Sequence, residues 1–382
     1  MPSWQVVDFH LYYLHKVSYE VGVIQMTMAD YRIHPENGLE VGIYTLGDRM
    51  PDPVTGKINS EKQRIDELVE EATYAEQAGL DYYGLGESHQ QYFTNQAHTV
   101  ILGAIANATR KIKIGSAASI VSTTDPVRLF EDFATLDLLS NGRAEIVGGR
   151  ASRLGIFDLL GYKYEDYAEL FKEKFDLLLQ IAANERVTWS GKFRAPLNDI
   201  AVYPRPLNGK MPIWRAVGGP AESAIKAGRA GVPMVITTLA GPVSRFKESV
   251  DIYRDVLREN GYDPAEIPVT TAGLFYVAED MTTALREYYP HVDEGMRLAN
   301  GYGFDKRAFA AQRDPLQSMN VGDPEAVVEK ILYQYEQFGM QRYIAQLDFA
   351  GMPHKQVMRQ IDYLGEKIVP VVKQYTRAYP KK

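Results

Sequence analysis

The chain has 382 residues, of which 45% are hydrophobic and 24% are charged, values that are ordinary for a globular enzyme. It contains no cysteine, which excludes disulfides, thiol nucleophiles, and zinc or iron–sulfur centres bound by cysteine. The net charge of −7 and the lack of a basic block argue against nucleic acid as a partner. No uninterrupted apolar stretch and no targeting signal is seen, so we expect a cytoplasmic protein that is not anchored in a membrane.

The first 38 residues differ from the rest of the chain. Alternating strand and helix patterns begin only at Leu39, after the turn signal Asn37-Gly38. Met28 would make a natural start, and we interpret the first 25 or so residues as the product of an upstream start codon that contributes little to the fold. The prediction is therefore a leader over residues 1–38 and one barrel domain over residues 39–382.

From Leu39 onward, strands and helices alternate. Strands are predicted at 39–47, 81–85, 112–116, 144–147, 212–217, 233–237, 269–278 and 342–347, and helices at 61–79, 96–108, 126–141, 165–183, 220–230, 244–260, 324–338 and after the last strand. Ser60 and Asp125 are predicted to cap two of these helices. Two surface insertions interrupt the alternation, a pair of short strands at 187–205 and a long polar loop at 279–320.

Eight strand–helix units are the number that closes a parallel barrel. An open doubly wound sheet would usually have fewer strands and a glycine-rich fingerprint after the first, which Thr45-Leu46-Gly47-Asp48 does not provide. We therefore predict an α/β protein, a (β/α)8 TIM barrel with surface insertions. Its active site is expected where strands end and helices begin.

Two neighbouring strand ends are built from very small residues. The third strand runs into Gly115-Ser116-Ala117-Ala118-Ser119, and the fourth runs into Gly148-Gly149-Arg150. Such ends leave room for a flat ligand, and Arg150 adds a permanent positive charge. The alternative for Arg150 is a surface arginine that pairs with a glutamate.

The second strand ends in Glu87-Ser88-His89. Histidine suits proton transfer near neutral pH, and a neighbouring carboxylate can set its tautomer and charge. We predict Glu87 and His89 as catalytic residues; the alternative is a pair that only caps the second helix. No histidine has a partner at metal-ligand spacing, so no metal site is predicted.

The fifth strand leads into Gly218-Gly219-Pro220, with Ser223 in the first turn of the following helix. Free backbone amides at a helix N-terminus favour an anion, although a plain barrel turn would look similar. Together with the small-residue strand ends and Arg150, this segment describes a site for a phosphorylated aromatic cofactor. Flavin mononucleotide (FMN) fits that description.

Three segments, GLDYYGLGESH, IGSAASIVSTTDPVRLFEDFATLDLLSNGRAEIVGGR and PIWRAVGGPAESAIKAGRAGVPMVIT, resemble the bacterial luciferase-like flavin monooxygenase family. The resemblance extends from Leu39 to about Val372. It implies a barrel that is usually dimeric and that binds reduced FMN supplied by a separate flavin reductase. In that family the flavin reacts with dioxygen to form a flavin hydroperoxide, which oxidises a small organic substrate.

The resemblance also implies roles for individual residues. Ala117 and Ala118 match the position of a non-prolyl cis peptide against the flavin ring, and Arg150 matches a phosphate-binding arginine. Gly219, Pro220 and Ser223 match the helix N-terminus that binds the phosphate.

The chain departs from the family pattern at two positions. Ser88 stands where the family often has the first of two histidines, which argues against light emission, and a second phosphate-binding arginine is absent near Ala168. The leading hypothesis is an FMN-dependent monooxygenase. A deazaflavin-dependent hydride transferase and a non-catalytic flavin-binding protein remain as alternatives.

Overall fold

The structure is a computed structural model that describes residues 26–151, 155–218 and 221–380. The described strands are β1 Glu40–Thr45, β2 Tyr82–Leu85, β3 Lys113–Ser116, β4 Ser119–Ile120, β5 Ala144–Gly149, β6 Arg186–Trp189, β7 Leu197–Ala201, β8 Ile213–Gly218, β9 Met234–Thr237, β10 Val269–Val277, β11 Asn320–Gly322 and β12 Arg342–Gln346.

The described α-helices are α1 Glu61–Gln77, α2 His98–Ala108, α3 Pro126–Leu139, α4 Gly155–Leu160, α5 Tyr167–Ala183, α6 Ala221–Arg229, α7 Val243–Glu259, α8 Met281–Asn300, α9 Lys306–Ala310, α10 Pro324–Phe338, α11 His354–Tyr363 and α12 Val369–Ala378. Short 3-10 turns precede β1 and α5 and follow α9, and a π-helical turn joins α11 to α12. None of the described helices is long and apolar enough to cross a membrane.

Eight parallel strands close into a barrel in the order β1, β2, β3, β5, β8, β9, β10 and β12, and β12 returns to β1. This confirms the predicted TIM barrel. Side chains alternate between the barrel interior and the helices, as the pleat of a strand requires. In β8, for example, Trp214 belongs to the interior cluster, whereas Ile213 and Val217 pack against the surrounding helices.

The predicted helix caps are confirmed. The Ser60 hydroxyl accepts a hydrogen bond from the Gln63 amide (3.1 Å), and the Asp125 carboxylate accepts from the Val127 amide (2.9 Å) at the start of α3. These side chains satisfy amides that the first helical turn leaves unpaired.

One predicted insertion is confirmed and the other is wrong in its structure. Strands β6 and β7 form the expected antiparallel pair. Residues 279–320 are not a loop, because they contain the long helix α8, the short helix α9 and strand β11. Asp280 caps α8 and Gly301 ends it in a left-handed conformation, which are ordinary helix signals within a polar composition.

Residues 26–38, which the sequence analysis separated from the barrel domain, pack against the N-terminal ends of the barrel strands. Tyr31 is buried with its ring edge-on to Trp214, at a centroid distance of 5.6 Å. Arg32 donates to the carbonyl oxygen of Ala144 (2.8 Å) and pairs with Asp137 (2.9 Å). The remainder of the predicted leader, residues 1–25, lies outside the described residues.

A buried ion cluster fills the same end of the barrel interior. Arg342 forms two hydrogen bonds with the Glu145 carboxylate (2.7 and 3.0 Å) and one with Glu40 (2.8 Å), and Lys113 also pairs with Glu40. The Arg342 guanidinium lies over the rings of Tyr82 and Trp214, at 4.5 and 5.1 Å. Burial alone would lower the pKa of Arg342, but the two carboxylates raise it above its ordinary value.

Replacing Glu145 with Gln should destabilise the fold by about 3–5 kcal/mol, because it removes the bidentate partner of a fully buried cation. Urea unfolding of the two proteins measures this difference. Glu131→Gln is the matched control, since it breaks the pair between Glu131 and the exposed Arg128 and should cost less than about 1 kcal/mol. Equal losses in the two variants would contradict the assigned importance of the buried cluster.

A second buried network joins α1 to the segment after β12. Arg64 on α1 pairs with Glu71 (2.6 Å) and with Asp348 (2.9 Å). His354, the first residue of α11, lies 3.1 Å from Glu71, and this hydrogen bond raises the pKa of His354 above 6.5. The histidine therefore links α11 to α1 more strongly when it is protonated.

His354→Gln should reduce stability in a pH-dependent way. Because the folded pKa is raised, the contribution of His354 is fully present below the unfolded value of 6.5 and is lost as the pH rises through the folded value. Free energies of unfolding measured across this pH range should show the wild-type advantage shrinking toward alkaline pH. An advantage that grows with pH would show that the sign is wrong.

Candidate active site

Small residues meet at the C-terminal ends of β3, β5 and β8, and we call this region the slot. Ala117 and Ala118 follow β3, and the peptide bond between them is cis, as the family resemblance predicted. A Cβ atom added to Gly149 would lie 2.7 Å from the Cβ of Ala118 and 3.6 Å from that of Ala216. Any larger residue at position 149 would therefore close this slot.

The predicted pair at the end of β2 is brought together. The Nε2–H of His89 donates to Glu87 Oε1 at 2.7 Å, and both side chains are largely buried. Glu87 Oε2 accepts from the Ile120 amide (2.6 Å), and the Glu87 amide donates to the carbonyl oxygen of Ala118 (2.9 Å). Glu87 thus connects the histidine directly to the cis peptide segment.

His89 and Ser88 face a small cleft beside this pair. The cleft is also lined by Ile120, by Ala151 after β5 and by Ile156 of α4. Since Nε2 of His89 is occupied by Glu87, Nδ1 is the ring atom left for exchanging a proton with a ligand.

A second histidine lies behind the pair and was missed by the sequence reasoning. His98, at the start of α2, lies 2.7 Å from the Ser119 hydroxyl and 4.0 Å from Glu87. Burial lowers the pKa of His98 and favours its neutral form. No local sequence pattern links His98 to Glu87, because the two side chains come close only when α2 packs beside the strand end in the folded barrel.

The predicted anion-binding residues lie on neighbouring strand ends. Arg150 is exposed directly after β5, with its guanidinium carbon 5.4 Å from the centre of the Tyr167 ring. Gly218 ends β8 and is exposed, whereas Gly219 and Pro220 lie outside the described residues. Ser223, in the first turn of α6, is buried, and its hydroxyl has no hydrogen-bond partner among the described residues.

Arg215 on β8 is a further cation that the sequence reasoning did not select. Its guanidinium carbon lies 4.8 Å from the centre of the Phe171 ring and 5.5 Å from that of Phe175. Burial, together with the charge of the nearby Arg150, lowers the pKa of Arg215 to about 10. In the sequence, the buried cation is indicated only by the presence of an arginine within the apolar strand IWRAV.

The arrangement fits a flat ring system with an anionic tail. The slot of Ala118, Gly149 and Ala216 could hold the ring against the Glu87–His89 pair. The positive charge of Arg150 and the unpartnered hydroxyl of Ser223 suit the anionic end.

These features define a class of protein, a closed parallel (β/α)8 barrel with small residues at the C-terminal ends of its strands. The model of the luciferase-like monooxygenase family matches residues 39–342. The chain belongs to this family.

Three solved structures are similar to this chain. The monooxygenase RslO1 from Streptomyces bottropensis is 23% identical, with a TM-score of 0.73 over 87% of this chain and 99% of that one. The oxygenating constituent of 3,6-diketocamphane monooxygenase from Pseudomonas putida, in complex with FMN, is 17% identical, with a TM-score of 0.69 over 87% and 98%. The coenzyme F420-dependent tetrahydromethanopterin reductase from Methanopyrus kandleri is 18% identical, with a TM-score of 0.66 over 88% and 99%.

Proposed function

We propose that this protein is an FMN-dependent monooxygenase that oxidises a small organic substrate with dioxygen. Membership of the luciferase-like monooxygenase family supports the reaction class. The observation that carries the proposal is the hydrogen bond from the Glu87 amide to the carbonyl oxygen of Ala118 (2.9 Å), because it links Glu87, the partner of His89, to the small-residue segment after β3.

Reduced FMN, when bound, would supply two electrons to dioxygen, so that one oxygen atom enters the substrate and the other leaves as water. The residues of the chain would bind and orient the cofactor and would transfer protons. Ala118, Gly149 and Ala216 would admit the ring, and Arg150 and Ser223 would hold the phosphate. Glu87 would orient His89 so that Nδ1 faces the reacting groups.

We extend the proposal to the partners of the enzyme. A separate flavin reductase would supply the reduced cofactor. A homodimer in the cytoplasm is also proposed, supported by the exposed apolar side chains of Val100 on α2 and of Leu138 and Leu139 on the adjacent α3.

The second candidate is a hydride transferase that uses the deazaflavin F420, favoured by the similarity to an F420-dependent reductase. Anaerobic titration with reduced FMN followed by rapid mixing with oxygenated buffer tests the main proposal. We expect bound reduced FMN to return to its oxidised form more slowly than free FMN. No binding of FMN together with tight binding of F420 would instead support the hydride transferase, and binding without any substrate turnover would support a non-catalytic flavin-binding protein.

Ala118→Leu should abolish FMN binding while the barrel stays folded, because the added atoms would enter the slot beside Gly149. Fluorescence titration with FMN and circular dichroism measure the two effects. Ala308→Leu on the exposed face of α9 is the matched control and should bind FMN normally. Normal binding by Ala118→Leu would remove the slot from the site.

His89→Ala should lower the rate of product formation by about 10²- to 10⁴-fold and leave FMN affinity unchanged, as expected when an acid–base group is removed. The measurement is a single-turnover assay with a substrate found by screening for oxygen-dependent product. His34→Ala serves as the control. His34 and Glu36 form an exposed pair and, like His89 and Glu87, are two residues apart in the sequence. Equal rates in the two variants would exclude His89 from catalysis.

A further inference from the structure

Arg215 is a buried cation that forms no ion pair with the residues described by the structure. Arg215 is only 8% exposed. No carboxylate oxygen of the described residues lies within 4.0 Å of its guanidinium nitrogens. Its Nε atom is buried without a hydrogen-bond partner among those residues. Asp176, which acts on Arg215 from a distance, is itself paired with Lys172 at 2.6 Å.

The other buried arginines of the described residues are satisfied. Arg64 and Arg342 form ion pairs with two or more carboxylates each. Arg143 donates to the Thr109 hydroxyl and to backbone carbonyl oxygens. Arg215 differs from all three, although burying an uncompensated charge is costly.

An apolar side chain would pack against the stacked rings of Phe171 and Phe175 at lower cost. A cation kept at such a position is explained if an anion reaches it in the functional state. Its pKa of about 10 leaves Arg215 charged at neutral pH.

The surroundings of Arg215 indicate where that anion would lie. Arg215 is the register partner of Gly148 on β5, two residues before Arg150. Arg150 follows Gly149 at the end of β5, and its charge is close enough to lower the pKa of both Arg215 and Glu222 in the first turn of α6. Ser223 in that turn carries the buried hydroxyl without a partner.

We propose that Arg215 acts with Arg150 as a second phosphate-binding cation, and that this pair selects the phosphate monoester of FMN over the phosphodiester of F420. The inference rests on the proposed flavin-dependent function. A monoester carries between 1.5 and 2 negative charges at neutral pH, about as many as two arginines neutralise, whereas a diester carries only one. Arg215 would also compensate for the second family arginine that is absent near Ala168.

The test compares FMN with riboflavin, which has the same ring and no phosphate. Arg215→Met retains apolar packing against the two phenylalanine rings and removes the charge. We expect its dissociation constant for FMN to rise about 10- to 100-fold and that for riboflavin to stay unchanged. Arg215→Lys should fall between wild type and Arg215→Met, and Arg150→Ala should lose FMN affinity by a similar factor.

The melting temperature without ligand gives an independent readout. Arg215→Met should melt higher than wild type, because it removes an unpaired buried charge. Arg205→Met is the matched control. Arg205 also lies over an aromatic ring, that of Phe130 at 4.7 Å, but it donates to carbonyl oxygens at the far end of α5. This variant should bind FMN normally and should not melt higher.

The outcomes separate this inference from the proposed function. Wild-type protein that binds neither FMN nor riboflavin would contradict both, and this is seen before any variant is made. Wild-type protein that binds FMN, with Arg215→Met unchanged or equally weakened for FMN and riboflavin, would overturn the role of Arg215 alone. Tighter binding of F420 than of FMN by wild type would overturn the selectivity.

Discussion

The ion cluster around Arg342 is the interaction on which the rest of the barrel depends. It ties the first residues of β1 and β12 to Glu145 of β5 across the interior, where a lone charge would be strongly destabilising. Tyr82 and Trp214 fill the remaining space beside it, and Tyr31 closes this end from outside the sheet. One end of the barrel interior is filled in this way, whereas the strands carry small residues at the opposite end.

At the opposite end, both backbone and side-chain groups of Glu87 form the hydrogen bonds of the candidate site. The Glu87 carboxylate accepts a hydrogen bond from Ile120 and another from His89, and the Glu87 amide binds the carbonyl oxygen of Ala118. The Glu87–His89 pair and the small-residue segment after β3 are therefore joined by hydrogen bonds.

The two ends of the barrel also differ in how their polar groups are satisfied. At the closed end, Arg342 has partners for its charge and supports the fold. At the open end, Arg215 and Ser223 keep unpartnered polar atoms among the described residues. A buried polar group without a partner reduces the stability of the fold, so this cost falls on the strand β8 and on the helix α6 that follows it.

The sequence by itself determined the order of the elements, the helix caps at Ser60 and Asp125, and the positions of the small strand ends, because these depend on local periodicity and on turn and cap chemistry. It also brought Glu87 and His89 to attention, since they are neighbours in the chain. Only the tertiary structure decided that His98 lies behind this pair and that Arg215 meets no carboxylate within the described part of the chain, because closing the barrel sets which distant groups meet. The helical character of residues 279–320 was missed because their polar composition hid an amphipathic helix whose buried face exists only against the barrel.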